Sequence, residues 1–103
     1  MVDVITKTTS ELYPTDILFQ TPYWAQVKAQ MGMAPMAFNI LSSQTWGDVL
    51  VLIQNHCGHK LALIPQGPEH APAVDMYGQY LEDLSLALAE RLDPGVAFIR
   101  YDL

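Results

Sequence analysis

Cysteine is nearly absent: Cys57 stands alone among the 103 residues, which rules out a disulfide within the chain and fits a reducing compartment. Cations are scarce as well. Five Lys plus Arg face eleven Asp plus Glu, for a formal net charge of -6. A nucleic-acid backbone needs clustered cations, so the charge balance works against DNA or RNA as a direct partner of this piece. Long hydrophobic runs are missing too. The longest aliphatic stretch, residues 49–53, is far short of the roughly 20 residues of a membrane helix. Residues 1–9 carry Lys7 with no apolar stretch behind it, so no secretory leader is expected. These absences point to a cytoplasmic chain without a membrane span. Neither a GxGxxG run nor a GxxxxGK[ST] run occurs, which removes the dinucleotide fold and the P-loop.

What is present is apolar. Half of the residues are hydrophobic and the mean hydropathy is +0.14. A chain of this length buries only roughly two thirds of its unfolded surface, so 1–103 reads as one domain with one core. The surplus apolar surface makes a partner, including a second copy in a homo-oligomer, an open expectation.

Local signals predict the order β, α, β, β, β, α, β. Residues 2–6 read as a short edge strand, ended by Thr8, Thr9, Ser10 and Pro14. Thr21 is suited to cap a helix and Pro22 to open it, giving a helix over 22–31 that Gly32 stops. A helical wheel sets Tyr23, Trp24, Val27 and Met31 on one arc, turns Ala25, Gln26 and Ala29 away, and leaves Lys28 beside Trp24. Strands follow over 36–41, 48–54 and 61–64. Their connectors, 42–47 and 55–60, are short and polar, which predicts adjacent antiparallel neighbours. A helix begins near Asp75 or Met76 and ends at Pro94 and Gly95. It carries Tyr77, Tyr80, Leu81, Leu84 and Leu88 on one side and Gln79, Glu82, Asp83 and Glu90 on the other. Leu86 falls in the middle of its polar face. A last strand spans 96–101. The fold class expected is α+β, with a mainly antiparallel sheet and two packing helices.

No recognisable catalytic constellation lies within these residues. His56, Cys57 and His59 are ligand types for zinc, but three ligands within four residues of a turn converge poorly on a tetrahedral ion, and a solvated turn is the simpler reading. Gln66 and Gly67 follow a strand, where a glycine lets backbone approach a ligand and where an ordinary turn needs the same residues. Lys28 next to Trp24 has two readings. It could hold an anionic group beside an aromatic surface, or lay its stem over the indole with its ammonium in water. Arg100, Tyr101 and Asp102 end the last strand, where either a functional site or an internal salt bridge is expected.

Taken together, Phe19-Gln20-Thr21-Pro22-Tyr23-Trp24-Ala25-Gln26-Val27-Lys28, then Gly32, then Leu63-Ile64-Pro65-Gln66-Gly67-Pro68-Glu69, then Phe98-Ile99-Arg100-Tyr101-Asp102, resemble the Fem-type peptidoglycan-bridge aminoacyltransferases. The similarity runs from Ile17 to Leu103. It implies the front half of the first, acceptor-side lobe of an enzyme made of two GNAT acyltransferase-like lobes. Such enzymes move an amino acid from aminoacyl-tRNA to the peptide stem of a peptidoglycan precursor, either UDP-muramyl-peptide or its lipid-linked form. By that resemblance Lys28 corresponds to the lysine that contacts the acceptor diphosphate, with Trp24, Gln66 and Gly67 around it. The family often has a basic residue where Gln66 stands. No metal or cofactor is implied, and the Q/R-x-x-G-x-G/A loop of acyl-CoA enzymes is absent from the sequence. Catalytic groups and the aminoacyl-tRNA site are expected outside this stretch, in the remainder of the lobe and in a second lobe. The alternative is a non-catalytic interaction or dimerisation domain of the same fold.

Overall fold

The computed structural model describes residues 2–15, 18–42, 46–56, 58–65, 77–92 and 95–102. Seven main elements follow the expected order: β1 (Val2–Lys7), α1 (Pro22–Gln30), β2 (Ala34–Ser42), β3 (Trp46–His56), β4 (His59–Pro65), α2 (Tyr77–Arg91) and β5 (Val96–Asp102). Single 3-10 turns at Thr9–Glu11 and Leu18–Gln20 fill the stretch between β1 and α1. The five strands form one sheet in the order β1-β2-β3-β4-β5. The first four are antiparallel neighbours, and β5 lies parallel to β4. A parallel neighbour needs a crossover, and α2 supplies it.

Strand residues alternate between two covered faces. One face sends Val4, Phe38, Ile40, Val49, Val51, Ala62 and Ile64 against Tyr80, Leu84, Ala87, Leu88 and Leu92 of the α2 region. The other sends Ala37, Leu50 and Leu52 against Ala25 of α1 and Leu12. Val49 to Leu52 are therefore buried on both sides, which explains why this part of β3 is continuously aliphatic.

The hairpin between β3 and β4 is tighter than connectors over 55–60 imply. His56 pairs with His59, and Gly58 takes a positive φ of 80°, the conformation that glycine allows at a two-residue turn. Helix α1 departs from the wheel expectation. Ala25 is its buried residue, at 1% exposure, while Tyr23 and Met31 are 64% and 65% exposed. The arc of Tyr23, Trp24, Val27 and Met31 is thus not the buried side of α1, and the wheel did not fix its rotation. Packing did, because alanine lets the helix approach β2 and β3 closely. Helix α2 has a well-marked stripe and lies as its periodicity predicts, with Leu86 at 64% exposure opposite the core. Among the described residues, no helix is long and apolar enough to cross a membrane.

Candidate functional site

The start of α1 is fastened by its own sequence. The Thr21 hydroxyl accepts from the Trp24 N–H at 3.2 Å and donates to the Leu18 carbonyl at 2.6 Å, joining the 3-10 turn to the helix. Phe19 packs against Trp24 with ring centroids 4.6 Å apart and planes tilted by 57°. One turn further on, the Lys28 ammonium lies 4.9 Å from the centre of the Trp24 ring. Phe19, Trp24 and Lys28 thus form a half-buried aromatic and cationic ridge. Lys28 also sits in the last turn of α1, where a cation complements the negative end of the helix dipole. Its carbonyl accepts from the N–H groups of Met31 and Met33, closing the helix before Gly32 at φ 92°.

The residue that ties this ridge to the sheet is Gln20, the one buried polar side chain among the described residues, at 4% exposure. The β3–β4 ladder runs to Leu52 opposite Leu63, and its next step would set Leu50 opposite Pro65. Proline has no N–H to give there. The Gln20 amide fills the gap: its oxygen accepts from the Leu50 N–H at 2.8 Å, and its nitrogen donates to the Pro65 carbonyl at 2.7 Å and to the Leu50 carbonyl at 3.4 Å. On the other side of β4, Pro65 pairs with Asp102. The three sequence segments around Gln20, Pro65 and Asp102 therefore meet at the C-terminal end of β4. Sequence reasoning did not single out Gln20. The available signal was Pro65, because a proline closing a strand leaves a neighbour in need of another hydrogen-bond partner.

Gln66 and Gly67 follow Pro65 directly but lie outside the described residues, as does Cys57. His59 begins β4 and is exposed. Among the described residues, no group of three or more His, Cys, Asp or Glu is placed to hold a metal ion. At the end of β5, the Tyr101 hydroxyl meets Ser85 Oγ at 2.8 Å, while Ser85 donates to the Leu81 carbonyl at 2.7 Å, so Tyr101 ties β5 to α2. Arg100 is exposed on the opposite face, beside Leu63 in register.

Elsewhere on the α1 face, Lys7 and Asp48 form an ion pair of 2.7 Å with little solvent access. Asp48 also accepts from the Tyr13 N–H at 2.7 Å, and the Tyr13 ring lies 3.8 Å from the Lys7 ammonium. This cluster pins the segment around Tyr13 to the sheet.

Comparison with protein-family models, curated proteins and solved structures finds no match to this chain.

Proposed function

We propose that the chain forms part of the acceptor-side lobe of a Fem-type aminoacyltransferase, with GNAT-like topology, and that α1 contributes to holding a diphosphate-bearing peptidoglycan precursor. The observation that carries this reading is the meeting of three distant segments, around Gln20, Pro65 and Asp102, at one end of β4. Those are the segments on which the resemblance rests. Trp24 and Lys28 extend from this junction along α1, giving a polarisable ring beside a cation. A phosphate near Lys28 would gain a charge-assisted hydrogen bond, and the indole would cover the sugar or base edge next to it.

The chemistry of such an enzyme is attack by the free amine of a stem peptide on the ester carbonyl of an aminoacyl-tRNA. The N–C bond forms as the ester C–O bond breaks, the tRNA hydroxyl leaves, and the amine loses a proton. This chain's residues would contribute acceptor positioning, which lowers the entropic part of the barrier.

The test is calorimetric titration of UDP-muramyl-pentapeptide into the full-length gene product and its Lys28→Ala variant, with a thermal melt of each. Loss of one ion-assisted bond, roughly 1.5 to 3 kcal/mol, should weaken binding about ten- to a hundredfold at an unchanged melting temperature. Equal affinities would remove Lys28 from the site. A large drop in melting temperature would make Lys28 a structural cation at the helix end.

A further inference from the structure

Strand β1 is an edge of the sheet: it pairs with β2, and among the described residues no strand pairs on its other side. In an antiparallel ladder alternate residues turn their N–H and C=O groups outward. The Val4 N–H is taken at 2.8 Å by the carboxylate of its own neighbour, Asp3, which marks Val4 as one of the outward residues. Val2 and Thr6 share that direction. Beside this edge runs α2, and the two elements enclose a groove of about 350 Å³ lined by Val2, Asp3, Asp83, Leu86, Ala87 and Glu90. Its apolar members include the exposed Leu86, and its charged members are all carboxylates.

We propose that the β1–α2 groove receives an extended basic peptide segment, which adds to the sheet as a sixth strand next to β1. This inference is independent of the α1 ridge. An edge strand flanked by a helix supplies main-chain bonds for affinity and a helix surface for selecting side chains. A carbonyl of the added strand takes the Val4 N–H, which releases the Asp3 carboxylate to pair with an incoming Lys or Arg. On the α2 side, an apolar residue of the segment meets Leu86 and Ala87. Cations two residues before and after it point toward Asp83 and Glu90. Those carboxylates are seven residues apart, about 10 Å along the helix, whereas strand residues four apart are separated by about 14 Å, a difference that lysine stems span. A second copy fits less well. It would bring its own carboxylates into the groove, and the one cation of its β1, Lys7, is already held by Asp48.

The probe is a fluorescein-labelled peptide, Thr-Lys-Val-Val-Val-Lys-Thr, titrated into the full chain and followed by anisotropy. Saturable binding is expected, weakening with added salt. Replacing both lysines of the probe by glutamate, or methylating its backbone nitrogens on the side facing β1, should each reduce affinity at least tenfold. Leu86→Lys, at an exposed position that leaves the core untouched, should do the same with an unchanged circular dichroism spectrum. Hydrogen exchange at Val4 should slow when the probe is bound. The proposal is overturned if no binding occurs up to millimolar protein, or if the N-methylated probe binds equally well, which would mean charge attraction alone. It is also overturned if sedimentation shows a dimer that Leu86→Lys dissociates, which would assign the groove to a second copy.

Discussion

Beneath α2 the sheet presents Phe38, Val49, Val51, Ala62 and Ile64 to Tyr80, Leu84 and Leu88, an apolar layer that continues across all five strands through Ile99 and Tyr101. Beneath α1 the buried set shrinks to Leu12, Ala25, Ala37, Leu50 and Leu52. That thinner side is completed by directed bonds: the Gln20 amide between β3 and β4, the Thr21 cap, and the Lys7–Asp48 pair under Tyr13. It also ends short of both sheet edges, leaving Ile5 and Leu41 half exposed and Phe98 67% exposed. One side is held mainly by the area it removes from water, and the other by a few polar contacts with defined geometry. Loss of volume should therefore injure the first most, and loss of a single partner the second.

The largest effect is expected on the α2 side. Leu84→Ala deletes a fully buried side chain between helix and sheet, and should lower unfolding free energy by about 2–5 kcal/mol in a urea titration. A loss below about 1 kcal/mol would mean that α2 is not the principal clamp. On the α1 side, Gln20→Leu keeps a side chain of similar bulk but leaves the Leu50 N–H and the Pro65 carbonyl without their partner. A cost of about 1–3 kcal/mol follows, together with faster hydrogen exchange at the Leu50 amide. Stability equal to wild type would erase the contrast between the two faces.

The smallest effect concerns Glu11, whose carboxylate accepts from the Thr8 hydroxyl at 2.8 Å and the Thr8 N–H at 3.3 Å. The Thr8 hydroxyl, helped by the Thr8 N–H and by the charge of Lys7, holds the Glu11 carboxyl below its ordinary pKa against a small opposing effect of desolvation. Folding thus favours the ionised form. Its stabilisation is complete above the ordinary carboxyl range and disappears as pH falls through the lowered value. Melting temperatures of wild type and Glu11→Gln should differ slightly at neutral pH and converge in acid. A gap that widens in acid would reverse the sign.

The same contrast explains what was legible in the sequence. The α2 stripe of Tyr80, Leu84 and Leu88 repeats at helical spacing, so periodicity located the helix, while aliphatic runs between polar turns located the strands beneath it. The rotation of α1 was not legible, because its larger apolar residues share the arc away from Ala25 and only contact with β2 and β3 selects Ala25 as the inward residue. Trp24 and Lys28 were legible as neighbours because four residues separate them on a helix. Gln20 was not, since its partners are 30 and 45 residues away and nothing local records them.

That separation has a consequence for how the chain is made. During synthesis Gln20 emerges well before Leu50 and longer still before Pro65, so its amide must stay in water until both strands have been delivered. Closing the junction joins segments distant along the chain, and such closures pay their loop entropy late. The β2–β3 hairpin can assemble from nearer contacts while the end of β4 is still being produced. The junction at Pro65 then acts as a register check on the nascent domain: a slip of β4 by one residue would turn the wrong backbone groups toward Gln20 and leave them unpaired.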